Sequence, residues 1–182
     1  HVTDPRVTEL SPAASEALNA AAMVALELAE LGDQQRLSLA MMKNAPLMVL
    51  PSGQSLWDLV PDADEAVVRD NINLPAGAAN TLFGYQPWVV AGLLSIPLCE
   101  LQRKGEGLGV LDAKIARIAA QRGIPLVGLE TVEEQLSVFS TMPLDDQVKY
   151  LVAVARLGPR TADYFETLIQ LYVNRNVAAY MP

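Results

Sequence analysis

The chain has 182 residues and a mass of 19.6 kDa, with 51% hydrophobic residues, 19% charged residues and a mean hydropathy of +0.22. That is enough apolar material for one sizeable core, and too much for a disordered or purely solvated segment. A net charge of −8 and a pI near 4.6 argue against the broad cationic surface that a phosphate backbone demands, so nucleic acid is not an expected partner.

In chain order, His1-Val-Thr-Asp-Pro-Arg-Val7 shows no helical period and carries a proline, so it reads as a loop leaving a strand that lies ahead of it. With no initiator methionine and no signal-like stretch, the sequence is expected to be a piece of a longer protein. Ser11-Pro12 supplies an N-cap and a first-turn proline for a helix through Leu18. Val24 to Leu28 alternates as a short strand would, although its alanine, leucine and glutamate also suit the end of a longer helix. Gln34 to Lys43 suits a helix, and Leu47 to Leu50 is a third strand candidate stopped by the Pro51-Ser52-Gly53 turn. A short helix is expected from Ser55 to Val60 and an amphipathic one from Asp64 to Ile72. Pro75-Ala-Gly77 breaks the pattern, Ala78 to Phe83 forms a helical turn or two, and Pro87 opens an apolar helix. The apolar run from Trp88 to Cys99 is too short to span a bilayer, and Cys99, the single cysteine, reads as a core thiol without a disulfide partner.

After a hinge-like loop at Lys104 to Gly107 comes the most informative stretch. Leu108, Leu111, Ile115, Ile118 and Ala119 recur at helical spacing, and Arg122-Gly123 provides a cationic last turn and a left-handed cap. Ile124 to Leu129 then reads as a buried strand, and Thr131 with Glu134 marks the start of the next helix. Pro143 opens a helix with Val148, Leu151, Val152 and Ala155 on one stripe, Gly158-Pro159 ends it, and Thr161 to Tyr172 forms the last helix. The expected class is α/β or α+β, dominated by helices around a small, at least partly parallel sheet, with one domain over 1–182.

Several chemistries lack their sequence patterns. No nucleophile elbow, P-loop or dinucleotide fingerprint occurs, and one histidine with one cysteine cannot make a zinc site alone. What remains is polar groups at strand ends. If the strands at Val24 and Ile124 are parallel neighbours, Glu27 and Glu130 leave the same sheet edge, and His1 would join them after the preceding strand. One imidazole and two carboxylates could hold manganese, cobalt or zinc, or divide into base and acid. The structural alternatives are a helix-start charge at Glu130, a solvated helix position at Glu27 and a chain end at His1. Asp112 reads most simply as a first-turn carboxylate, Arg175-Asn176 as a polar exit, and Trp57 and Trp88 as core anchors.

The chain resembles the TraB/PrgY/GumN family, to which the Tiki proteins are related. His1-Val-Thr-Asp-Pro-Arg-Val7 is similar to the residues that come after Gly-Thr in the family's Gly-x-x-His motif, and Val24-Ala-Leu-Glu27 to its first glutamate-bearing strand. Leu50 to Leu56, Pro87-Trp88, Gly109-Val-Leu-Asp112, Val127-Gly-Leu-Glu-Thr131 with Glu134-Gln135, and Arg175-Asn176 continue the match. The resemblance implies helices around a small sheet and a site built from two histidine motifs plus glutamate. Tiki relatives are metal-dependent proteases, TraB and PrgY members restrain peptide pheromone signalling, and GumN is associated with polysaccharide genes. Carried over, His1, Glu27 and Glu130 become metal ligands, and Glu27, Glu130 and Arg175 catalytic groups, with Asp4, Asp112 and Asn176 in support. A second Gly-x-x-His would lie beyond Pro182, so these residues alone are expected to be inactive. The resemblance also implies a bacterial, exported or periplasmic protein acting on a peptide or small molecule. The alternative is a non-enzymatic peptide-binding or signalling module with an apolar groove near Trp88 and Phe83, and a plainer one is a helical body whose chemistry lies elsewhere.

Overall fold

The computed structural model describes residues 2–72, 80–176 and 178. In chain order its longer elements are α1 (Pro5–Thr8), α2 (Pro12–Ala20), β1 (Val24–Leu26), α3 (Gln34–Lys43), α4 (Asp62–Asn71), α5 (Pro87–Leu94) and α6 (Leu98–Gly105). These are followed by α7 (Leu111–Arg122), β2 (Leu126–Gly128), α8 (Val132–Ser140), α9 (Leu144–Leu157) and α10 (Thr161–Val173). This is the helix-dominated α/β class that the sequence predicts. The chain divides into two compact units, one of His1–Met42, Leu98–Val132 and Ala162–Pro182, the other of Lys43–Pro97 and Glu133–Thr161.

In the first unit the two strands pair in parallel, Val24 opposite Leu126, Ala25 opposite Val127 and Leu26 opposite Gly128. Val24 and Leu26 point into the core while Ala25 faces out, the alternation that the strand's period of two imposes. Beneath them lie Ala116 and Ala119 of α7, both fully buried, with Leu18, Leu31, Ile115, Ile124 and Leu126 around them. The small alanines let the helix sit close under the sheet. A tight turn at Ala29–Gly32 presses against both β2 and α7. It does so because two positions lack side chains: a Cβ on Gly32 would lie 3.0 Å from Leu126 Cδ2, and one on Gly128 would lie 3.0 Å from Ala29 N. The expected end of α7 is present, with Gly123 at φ 67° and Ile124 N donating to Ala119 O at 2.9 Å, which turns the chain directly into β2.

The second unit is built on α9, whose Val148, Leu151, Val152, Val154 and Ala155 pack with Val90 and Ala91 of α5, Val68 of α4, and Leu56 and Val60. Pro143 and Gly158 bracket α9 as the sequence predicts, and α5 starts at Pro87.

Five expectations are corrected. The buried strand expected from Ile124 to Leu129 covers only Leu126–Gly128 and is open on one face, with Val127 and Leu129 exposed. The loop expected over His1–Val7 contains α1, started by Asp4 as N-cap and Pro5 at the first position, the same device as Ser11-Pro12. Leu47–Leu50 is not a strand: Pro46 sits in a tight turn at Ala45–Leu47, and only Val49 bridges, antiparallel, to Tyr85. The apolar run after Trp88 divides, α5 ending at Leu94 and α6 taking up Leu98–Gly105, so that Lys104 and Gly105 close a helix rather than form a loop. Cys99 is exposed, because Glu100, its neighbour on α6, takes the buried position. The break expected at Pro75–Gly77 and the first part of the turn expected from Ala78 lie outside the described residues, while residues 80–82 are helical. Among the described residues, no helix is long and apolar enough to cross a membrane.

Candidate functional site

Parallel pairing obliges both strands to leave the sheet at one edge, and two backbone bonds extend the pairing past the last registered residues. Leu129 N donates to Leu26 O at 2.8 Å, and Glu130 N donates to Glu27 O at 2.9 Å. Glu27 and Glu130 are therefore linked diagonally through the backbone at the carboxyl edge, the place where ligands bind in open α/β sheets. Both residues are exposed. His1, the third expected member, lies outside the described residues. Among the described residues, no group of three or more histidine, cysteine, aspartate or glutamate side chains is placed to hold a metal ion. Carboxylates suit a divalent cation in ligand type, and a site here would need both side chains to converge and a further donor from beyond the described residues.

The segment following His1 is held by a polar network. Thr3 is buried, and both its backbone N–H and its hydroxyl donate to Glu100 Oε2, at 2.9 and 2.6 Å. Glu100, 0% exposed, receives Arg103 on its other oxygen, and Arg103 Nε closes the triangle by donating to Thr3 Oγ1 at 3.2 Å. Burial pushes the Glu100 carboxyl up, but the Thr3 and Arg103 hydrogen bonds outweigh it and hold the group below the usual carboxylate range. Asp4 is engaged next: its oxygens accept from the Arg6 backbone N, Nε and Nη2, each at 2.9 Å. Arg6 then grips Glu166 of α10 with both Nη atoms at 2.7 Å. Hydrogen bonding from Arg6 lowers Asp4 and Glu166 to about 2 each. Farther along, Lys114 Nζ of α7 donates to Thr8 O at 3.0 Å. Six residues of chain are thus tied to three helices.

The remaining site candidates occupy helix ends. Asp112 is in the first turn of α7, where a carboxylate meets the positive end of the helix dipole. Arg175 and Asn176 close α10, Arg175 N donating to Tyr172 O at 3.0 Å and Asn176 N to Leu171 O at 2.9 Å. That pattern is a Schellman cap, and Arg175 takes its left-handed position at φ 55°. In the second unit Trp57 meets Phe83 edge-on with Arg69 3.7 Å above the Trp57 ring, whereas Trp88 stacks on Phe139 at 5.2 Å. Phe83 and Trp88 each have their own aromatic partner.

Thr3, Arg6, Glu100, Arg103 and Glu166 escaped the reading of the sequence. The spacing of Glu100 and Arg103 was a visible hint of a helical ion pair. Nothing local connects them to Thr3, 97 residues away from Glu100.

Compared with known families, residues 1–181 match the TraB/PrgY/gumN family. No curated protein and no solved structure matches the chain.

Proposed function

The chain belongs to the TraB/PrgY/gumN family, and from that premise we propose that it acts as a metal-dependent hydrolase on peptides. The observation that carries the reading is the pairing of Glu27 and Glu130 at one sheet edge, the backbone of one bonded to the backbone of the other. In this reading His1 and one of these glutamates hold manganese, cobalt or zinc, and the other glutamate takes the proton of the attacking water. A bound divalent cation supplies Lewis acidity and brings the pKa of water close to neutral. Arg175 orients a carboxylate of the substrate, with Asn176 beside it. Its backbone supports a role for the side chain, since a non-glycine residue in the left-handed region costs about 1–2 kcal/mol and glycine would relieve it. Asp4 and Asp112 support the site through the elements they start. The same resemblance points to an exported, periplasmic bacterial protein.

Calorimetric titration with manganese or cobalt tests the proposal, with His1 in peptide linkage on its amino side so that no free amine adds a chelating nitrogen. Affinity is expected to fall at least about tenfold in His1→Ala, Glu27→Ala and Glu130→Ala. Absence of binding, or binding indifferent to all three, removes the reading.

A non-enzymatic peptide-binding module is the second reading, and the half-buried Trp88 stacked on exposed Phe139, with exposed Val138 beside it, favours it. Peptide cleavage with and without chelator separates the two: the binding module leaves the peptide intact and still bound in both.

A further inference from the structure

We infer that the side of β2 that faces away from β1 is a docking strand for an extended peptide, apolar at alternate positions and basic at its ends. The inference goes beyond the proposed function: it rests on the strands alone and holds whether or not the peptide is cut. In a parallel pair the main-chain groups of alternate residues turn to opposite sides. Val24 N donates to Pro125 O and Leu129 N to Leu26 O, so Pro125, Val127 and Leu129 direct their main-chain groups to β1. Leu126 and Gly128 turn theirs the other way. Among the described residues, the N–H and C=O groups of these two have no hydrogen-bond partner.

The usual protections of an open strand are missing here. Proteins blunt such a side with a charge, a proline or a covering segment, and no charged residue stands between Arg122 and Glu130. Pro125 lacks its donor on the β1 side, not on this one. The Ala29–Gly32 turn gives no cover either, since it meets Leu126 Cδ2 and the Cβ position of Gly128, which lie on the core face. On the opposite face Val127 is 43% exposed and Leu129 71%, so an added strand finds apolar neighbours at alternate positions. Glu130 is exposed at the strand's end in a chain of net charge −8, which favours a basic residue in the peptide and disfavours an acidic one. A second copy is a poor fit. It carries the same charge, and a stable dimer uses about 20–30 residues a side, far more than Pro125 to Leu129 supply. A peptide needs no such area, because strand addition draws its affinity from main-chain bonds.

The probe is acetyl-Lys-Thr-Val-Thr-Val-Lys-amide, titrated into isotope-labelled protein and followed by its amide resonances; main-chain pairing tolerates any side chains of this pattern. Binding is expected to shift the Leu126 and Gly128 signals and to slow the exchange of both amide protons with solvent. Two N-methylated forms of the peptide, each blocking the donors on one of its sides, are compared with it. One of the two is expected to bind at least about tenfold more weakly. Leu129→Lys, an exposed substitution that leaves the main chain of β2 as it is, is expected to weaken binding about tenfold by removing an apolar neighbour and repelling the basic ends.

Unmoved Leu126 and Gly128 signals at millimolar peptide would overturn the inference. Equal binding by both N-methylated forms would do so too, because no main-chain bonds would then be made. Shifts confined to Trp88 and Phe139 would assign the peptide to the second unit and remove the docking strand. If the β2 signals instead move with protein concentration while the sedimenting mass doubles, the occupant is a second copy and the inference falls. None of these results touches the metal reading, which the manganese and cobalt titrations judge.

Discussion

Glu130 gives its backbone N–H to the carbonyl oxygen of Glu27 across 2.9 Å, just past the last registered pair of the sheet, Leu26 opposite Gly128. Glu27 and Glu130 leave the same sheet edge because the strands do, and the link between them belongs to the backbone.

Glu130→Gln should therefore leave the scaffold intact. The side chain is exposed and the bond that places it belongs to the backbone, so stability should change by no more than about 0.5 kcal/mol in urea unfolding. Under the proposed function metal affinity falls in the same protein. A large loss of stability would show that the carboxylate belongs to the fold.

Gly128 controls how closely the Ala29–Gly32 turn approaches the sheet. A Cβ there would meet Ala29 N at 3.0 Å, Glu130 O at 3.2 Å and Ala29 Cβ at 3.3 Å. Two of these three are backbone atoms, which cannot rotate away. Gly128→Ala is expected to destabilise by about 1–3 kcal/mol, read as a lower midpoint of unfolding. An unchanged midpoint would mean that the turn yields freely.

Arg6 makes the first unit's stability depend on acid. Asp4 and Glu166 titrate at about 2 in the folded chain against ordinary values of 3.8 and 4.5, mainly through hydrogen bonds from Arg6. Groups depressed in this way add stability above their ordinary values and lose it as the pH falls through the folded ones. The stability difference between the parent and Arg6→Ala should therefore be widest near neutral pH and close as the pH drops from about 4.5 to about 2. Denaturant midpoints measured across that range check it; a difference independent of pH would assign the role of Arg6 to packing.

Arg175 occupies a position that glycine fills at less cost. Arg175→Gly should raise stability by about 1 kcal/mol, measured by thermal unfolding, because the cap needs only the left-handed backbone. The proposed function adds that peptide hydrolysis is lost in the same variant. A lower melting temperature would show that the arginine side chain holds the helix end.

Local chemistry is legible in the residues alone. The Ser11-Pro12 start, the Arg122-Gly123 stop, the proline opening α5 and the α9 stripe through Val148, Leu151 and Val152 all depend on residues within about one turn of each other. The two strands are also legible, as short apolar runs with a glutamate after each, and their parallel pairing places Glu27 and Glu130 at one edge. Where two local signals compete, the pattern misleads: Asp4-Pro5 is a helix start that the surrounding loop pattern obscures, and Pro46 undoes the third strand.

What the amino-acid order determined by itself was the helix-dominated class, most element ends and the edge at which two carboxylates emerge. Only tertiary structure decided that Thr3 meets Glu100, that Arg6 bridges Asp4 to Glu166, and that Glu100 rather than Cys99 turns inward on α6. The reason is physical. A cap or a stripe is read from neighbours a few residues away, whereas a buried carboxylate is tolerable only when distant donors converge on it, and no local pattern records which distant donors those are.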